Sequence, residues 1–184
     1  MTEGAQDLAE EAIGAALGRG DVREALGLCA RHHGAALGRL GMAMLGSQAE
    51  ADELVQETLL DAHDGFAGFR GESSVRAWLF TILRRKAARA VERRGRREAK
   101  LRLVHDADRS PGADEMLMLR QRAERARAAL ETIRPSEREA LLLRYASELS
   151  FRDVGIACGI DETAARKRVS RAISRLRETL GDQE

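Results

Sequence analysis

Residues that build sheets are scarce in this sequence. The aromatics amount to four Phe, one Trp and one Tyr in 184 residues. β-Branched side chains are also few: seven Val, six Ile and six Thr. A sheet packs through β-branched and aromatic surface, so this scarcity argues against one. Cysteine is nearly absent, and Cys29 and Cys158 alone are not a disulfide framework. No apolar run nears the ~18 residues of a membrane span. The opening MTEGAQDLAEEA is acidic and lacks the basic region and apolar core of a secretory signal. These absences lead us to expect a cytoplasmic chain with no membrane insertion. There is also no Gly-rich phosphate loop, no CxxC pair and no Ser–His–Asp motif. Cys29, His32 and His33 form a local C-x-x-H-H, but His63 and His105 lie far off in sequence. Zinc takes four ligands, or three and a water, so the cluster reads as structural and no metal is expected.

Ala (31) and Leu (23) are abundant, and both favour helices. The formal net charge is only +1, but the charges are segregated. Residues 47–64 carry six acids and no Lys or Arg; residues 84–102 carry ten bases and two acids; residues 163–177 carry six bases and no acid. Basic blocks suit phosphates and an acidic block suits a basic surface.

Periodicity places the helices. Leu26, Cys29, Ala30, His33, Leu37, Leu40 and Met44 keep a 3–4 spacing, within a segment that Gly20-Asp21 breaks, with Asp21 as N-cap. Ser47 caps the next helix, about 48–65, with Glu50 at the capping-box position. That helix carries Glu53, Glu57, Asp61 and Asp64 on one side, at spacings where like charges repel. A stripe that no local base relieves suggests an external basic partner. Residues 66–74 read as a loop with two exposed-looking Phe, and a helix over 75–94 follows. Val75, Trp78, Leu79, Ile82, Leu83, Ala87, Ala90 and Val91 make its apolar face, and Arg85, Arg89 and Arg93 a basic stripe. The apolar period is lost over 95–115, where Ser110-Pro111-Gly112 signals a turn. An amphipathic helix over 117–133 and one begun by Pro135 come next. Ser150 caps a short helix with Asp153 three residues on; Gly159 stops it, and Asp161 caps the last helix, to about Leu180.

A short helix, a Gly turn and a second helix with a basic outer face make a helix-turn-helix. The second helix of such a motif enters the major groove and meets base edges with its N-terminal half. Here that half carries Thr163, Ala164, Arg166, Lys167, Ser170 and Arg171. Arg175 and Arg177 extend the basic face.

Residues 134–180 resemble the fourth conserved region of bacterial sigma factors. Residues 48–94 resemble the second, most specifically in the strings ADELVQET and SSVRAWLF. Two such regions in this order, in a chain this short, resemble the extracytoplasmic-function (ECF) subfamily of the sigma-70 family. The resemblance implies an all-α fold of two small helical domains joined by a flexible linker. The expected boundaries are a helical leader over 1–24, a region 2-like domain over 25–95, a linker over 96–116 and a region 4-like domain over 117–184.

It also implies a promoter-specificity subunit of bacterial RNA polymerase, with no catalytic residue and no cofactor of its own. Asp52, Glu53, Gln56 and Glu57 would meet the β′ clamp helices of core polymerase. Phe69, Arg70, Ser73, Ser74, Arg76, Trp78, Arg84, Arg85 and Arg89 would hold the minus-10 element. Thr163, Arg166, Lys167, Arg168, Ser170 and Arg171 would read the minus-35 element, while the same domain meets the β flap. An anti-sigma factor is a further implied partner. The sequence departs from the family at Arg85, usually Asn or His, at Arg89, often Asp, at Gly155, usually Ala, and at Ala164, usually a hydroxyl residue. A free-standing helix-turn-helix regulator and a sigma-like decoy that binds an anti-sigma factor are the alternative readings.

Overall fold

Helix ends are set by short polar side chains and by glycines in the left-handed region. The computed structural model describes residues 3–101, 125–126 and 128–181, and every regular element among them is a helix. Helix α1 spans Glu3–Gly18 and α2 spans Val22–Leu45. Between them Gly20 adopts φ 74°, and the Asp21 carboxylate accepts from Glu24 N at 2.9 Å. Gly46 closes α2 at φ 75°, its N–H donating to Met42 O. Ser47 then caps α3, Gln48–Gly65, by accepting from Glu50 N at 3.4 Å.

A 3-10 turn over Phe66–Gly68 leads to α4, Val75–Leu101. The helix runs seven residues past its expected end at 94 and takes in the first part of the expected linker. That stretch holds strong helix formers apart from Gly95, so local propensity continues the helix without an apolar face. The expected helix over 117–133 lies partly outside the described residues; Arg125, Ala126 and 128–131 are helical. Three helices complete the chain: α5, Pro135–Tyr145; α6, Phe151–Cys158; and α7, Glu162–Gly181.

Helices α1–α4 pack around Ile13, Cys29, Leu37, Leu40, Leu54, Leu79, Phe80 and Leu83, all buried. Gly41 lets α2 and α3 approach closely: a Cβ there would stand 3.2 Å from that of Ala51. The later helices pack around Ile133, Leu143, Leu149, Val154, Ala165, Val169 and Ala172. The two sets touch, and the buried cluster is continuous across both. Helix α4 lies along α6, and α2 meets α5.

The leader is part of the first core rather than an appendage. Ile13 and Ala16 are fully buried, and the Glu10 carboxylate accepts from Val75 N at 2.8 Å and Arg76 N at 2.7 Å. Together with Ser74, whose hydroxyl accepts from Ala77 N at 3.0 Å, it satisfies the first N–H groups of α4.

Candidate nucleic-acid and polymerase interfaces

The helix-turn-helix is built from reciprocal bonds. Ser150 Oγ accepts from Asp153 N at 3.1 Å and donates to the Asp153 carboxylate at 2.8 Å. Gly159, at φ 68°, ends α6, and Ile160 N returns to Gly155 O at 2.9 Å. Asp161 caps α7 by accepting from Ala164 N at 2.7 Å. Gly155 is required by this turn: a Cβ there would lie 2.7 Å from the Ile160 carbonyl oxygen.

Ala165, Val169 and Ala172 bury the inner face of α7. Thr163, Arg166, Lys167, Ser170 and Arg171 are exposed, Arg168 is half-buried, and Ala164 is half-buried beside them. Arg166 bonds Glu162 at 2.6 Å and lies over the Phe151 ring, 4.4 Å from its centroid. Arg144 lies over the same ring at 4.8 Å, so Phe151 carries two guanidinium groups. Arg175 does not belong to the outer basic face. It turns inward to Glu137, 3.4 Å away and 2% exposed. The sequence signal for that pair is weak, because both residues sit in charged surroundings and only packing brings them together.

The loop before α4 is less open than its sequence suggests. Phe66 is buried and Phe69 half-buried, and both rings lie against Trp78, with centroids 5.3 and 5.0 Å away. Gly65 leaves room for the indole, since a Cβ there would stand 2.9 Å from it. Arg70, Arg85 and Arg89 are exposed, while Ser73 and Ser74 are half-buried.

Two other arginines of the expected minus-10 set are engaged elsewhere. Arg76 is 4% exposed; its guanidinium donates to Gln6 of α1 and, at 2.6 Å, to Ser147 O. Burial lowers its pKa, against the attraction of Asp153 and Glu10. Arg84 donates to Ala157 O at 2.8 Å and to Glu139 at 3.0 Å.

The acidic face of α3 is not free of local bases, contrary to the expectation from the sequence. Lys86 of α4 lies 3.2 Å from Glu57 and 2.9 Å from Asp61, and Arg94 lies 3.7 Å from Glu50. Burial works against the Lys86 ammonium, but the hydrogen bonds it donates to Asp61 and Glu57, with their charge, outweigh it and raise its pKa. Asp52, Glu53 and Gln56 stay exposed, with Asp52 accepting from Gln48 at 2.7 Å; Leu60, on the same helix, is exposed too.

A titratable cluster lies beneath the Glu10 cap. His33 is fully buried, neither ring nitrogen has a hydrogen-bond partner, and Nε2 is 3.7 Å from Glu10. Burial, with Arg76 close by, lowers its pKa to about 4. Burial raises the neighbouring Cys29 thiol to about 12, and its side chain is fully buried in the first core. Cys158, half-buried against the core, is likewise pushed up by burial.

Comparison with known proteins agrees with this architecture. Residues 29–97 match the family model for sigma-70 region 2, and residues 123–176 match that for sigma-70 region 4. The ECF RNA polymerase sigma factor EcfG of Rhodopseudomonas palustris is 39% identical over 143 residues, 73% of this chain and 74% of that protein. The sigma factor RpoE of Bartonella quintana, solved in complex with the anti-sigma factor NepR, is 30% identical. It superposes with a TM-score of 0.59, covering 79% of this chain and 90% of its own. CnrH, solved with the cytosolic domain of CnrY, shares the fold at 21% identity and a TM-score of 0.71 over 96% of this chain and 99% of its own. With regions 2 and 4 in family order and this identity to a curated relative, the chain belongs to the ECF sigma factors of the sigma-70 family, the promoter-specificity subunits of RNA polymerase.

Proposed function

We propose that α7 reads the minus-35 element through Thr163, Arg166, Lys167, Arg168, Ser170 and Arg171. The observation that carries this is the outer face of α7. Its inner face is buried, its N-terminus is fixed by Asp161, and Lys167, Ser170 and Arg171 lie exposed on the opposite side. Arg reads guanine bidentately, while Lys and Ser more often hold phosphates.

The loop and α4 hold the opened minus-10 strand. Phe69, Arg70, Ser73 and Ser74 form the loop part. Trp78 and Phe69 give a tilted pair of rings on the same helix-and-loop segment as the exposed Arg85 and Arg89, a pairing of aromatic surface and positive charge suited to single strands. Arg76 and Arg84 join this surface only once they leave their present partners. Asp52, Glu53, Gln56 and Glu57 meet the β′ clamp helices, and the region 4 half meets the β flap. The chain works in the cytoplasm, where the polymerase supplies the chemistry. The relative solved with NepR supports control by an anti-sigma factor.

Arg171→Ala tests the reading. Promoter affinity of the holoenzyme should fall by about 1–3 kcal/mol, roughly 5- to 150-fold, and base preference in the minus-35 element should relax at one position. Unchanged affinity and preference would remove Arg171 from the interface.

A further inference from the structure

On the outer face of α7, Arg166 is held in a way that its neighbours are not. Its Nε and Nη2 both donate to Glu162 Oε1, at 3.2 and 2.6 Å, and its guanidinium carbon lies 4.4 Å from the centre of the Phe151 ring. Lys167 and Arg171, on the same face, make no side-chain hydrogen bond or ion pair among the described residues.

Both holders belong to the helix-turn-helix itself. Glu162 opens α7, one turn before Arg166, and Phe151 opens α6. The ring is fixed in its turn. It is half-buried and packs on the core. Arg144 of α5 lies over it at 4.8 Å while donating to Leu149 O at 2.6 Å. A line of contacts therefore runs from the turn before α6, through Arg144 and Phe151, to the Arg166 guanidinium.

Stability does not account for this arrangement, because an ion pair at i, i+4 contributes little when both partners are open to solvent, as Arg166 and Glu162 are. Its effect is to fix a plane. An arginine side chain turns about several bonds, yet reading guanine N7 and O6 needs its planar fork at one angle. A ring against the guanidinium and a carboxylate on its Nε–Nη2 edge set that angle before DNA arrives. Glu162 occupies only that edge. Nη1 and the far N–H of Nη2 remain as a second fork, directed away from the carboxylate. Order held in advance need not be imposed on binding, which favours the base that matches the fork. Lys167 lacks such support and suits a phosphate, a point contact with no angle to keep.

We propose that Phe151 and Glu162 are positioning residues for base recognition: they hold the Arg166 guanidinium so that its free fork discriminates one base of the minus-35 element. The proposal rests on the reading of α7 given above, and it adds two residues outside the set assigned to DNA.

Holoenzyme made from the full chain and core polymerase would be presented with a promoter library randomised across the minus-35 element, and the bound sequences counted. Arg166→Ala should flatten the preference at one position by roughly 5- to 150-fold. Phe151→Leu should flatten the same position by roughly 2- to 5-fold, the worth of an exposed cation–π contact, and leave the other positions as they are. Phe151→Tyr keeps the ring and should keep the preference. Far-UV circular dichroism checks that each variant stays helical. Where Phe151→Leu fails to fold, Glu162→Ala, at an exposed site, takes its place, with Glu162→Gln as its conservative partner.

The deciding measurement is Phe151→Leu in the Arg166→Ala background. There it should change nothing further, because a residue that acts through Arg166 has nothing left to position. Equal losses of binding in both backgrounds would show that Phe151 only supports the fold, and would overturn the proposal. A loss spread evenly over all sequences would make Arg166 a phosphate contact and overturn it too. If Arg166→Ala leaves every preference intact, the base-reading role of Arg166 fails and the proposal falls with it. If Arg166→Ala flattens a position that neither Phe151→Leu nor Glu162→Ala alters, the positioning proposal alone fails.

Discussion

Gly155 stands where the turn of the helix-turn-helix comes back onto α6, and a methyl group there would press on the Ile160 carbonyl. The obstacle is backbone, so relief requires the turn itself to move. Gly155→Ala should therefore destabilise the protein by about 1–2 kcal/mol, overpacking of ~1–3 being partly offset by up to ~1 of better helix propensity. Chemical denaturation measures this, and an unchanged midpoint would show that the turn yields. His33 gives a second test. Its folded pKa of about 4 lies below the ordinary 6.5, so on acidification the unfolded chain takes up a proton that the folded chain refuses. Stability from this group is present above pH 6.5 and is lost as pH falls toward 4, by at most about 3 kcal/mol. Glu10 opposes the trend: burial raises its pKa, against the Arg76 and Val75 N–H bonds, and its protonation favours the folded state over the same acid range. His33→Leu removes an imidazole with no hydrogen-bond partner, so it should flatten the fall in stability between pH 6.5 and 4.5. An equally steep fall in the variant would place the acid sensitivity elsewhere.

Helix α3 carries its acids on a face that α4 partly neutralises. Glu57 and Asp61 are taken up by Lys86, whereas Glu53 is exposed and has Lys86, Arg93 and Arg94 only across the α3–α4 groove. Glu53→Lys is therefore the clean probe of the polymerase contact, and Glu57→Lys is not, because it would also set two cations together. Glu53→Lys should weaken core binding while stability changes by less than ~0.5 kcal/mol, as for surface substitutions in general. Binding as tight as that of the wild type would leave the face merely solvated. Capping chemistry made the elements legible. Asp21, Ser47, Ser150 and Asp161 cap the helices as their sequence positions suggest, because a short side chain bonds its own next turn. Charge partners were not legible, because Lys86 and the α3 acids lie 25 or more positions apart and meet only through packing. The same holds for Arg175: periodicity gives a face, but not the buried Glu137 that meets it from another helix. Phe66 looked exposed because it follows Gly65 in a polar stretch, yet that glycine lets Trp78 close over it.

The whole molecule joins two charge-segregated halves into one packed body, and neither composition nor periodicity announced that contact. The sequence strings for regions 2 and 4 identify the family, while the bridges from Arg39, Arg76 and Arg84 depend on backbone carbonyls that no residue pattern encodes. Promoter selection is the property that all these surfaces serve, and run-off transcription measures it most directly. The purified chain would be mixed with core RNA polymerase and fragmented genomic DNA, and the transcript starts sequenced. Discrete starts that share two upstream elements at a fixed spacing are the expected result. Starts no different from those of core polymerase alone, from a folded chain and active core, would contradict it.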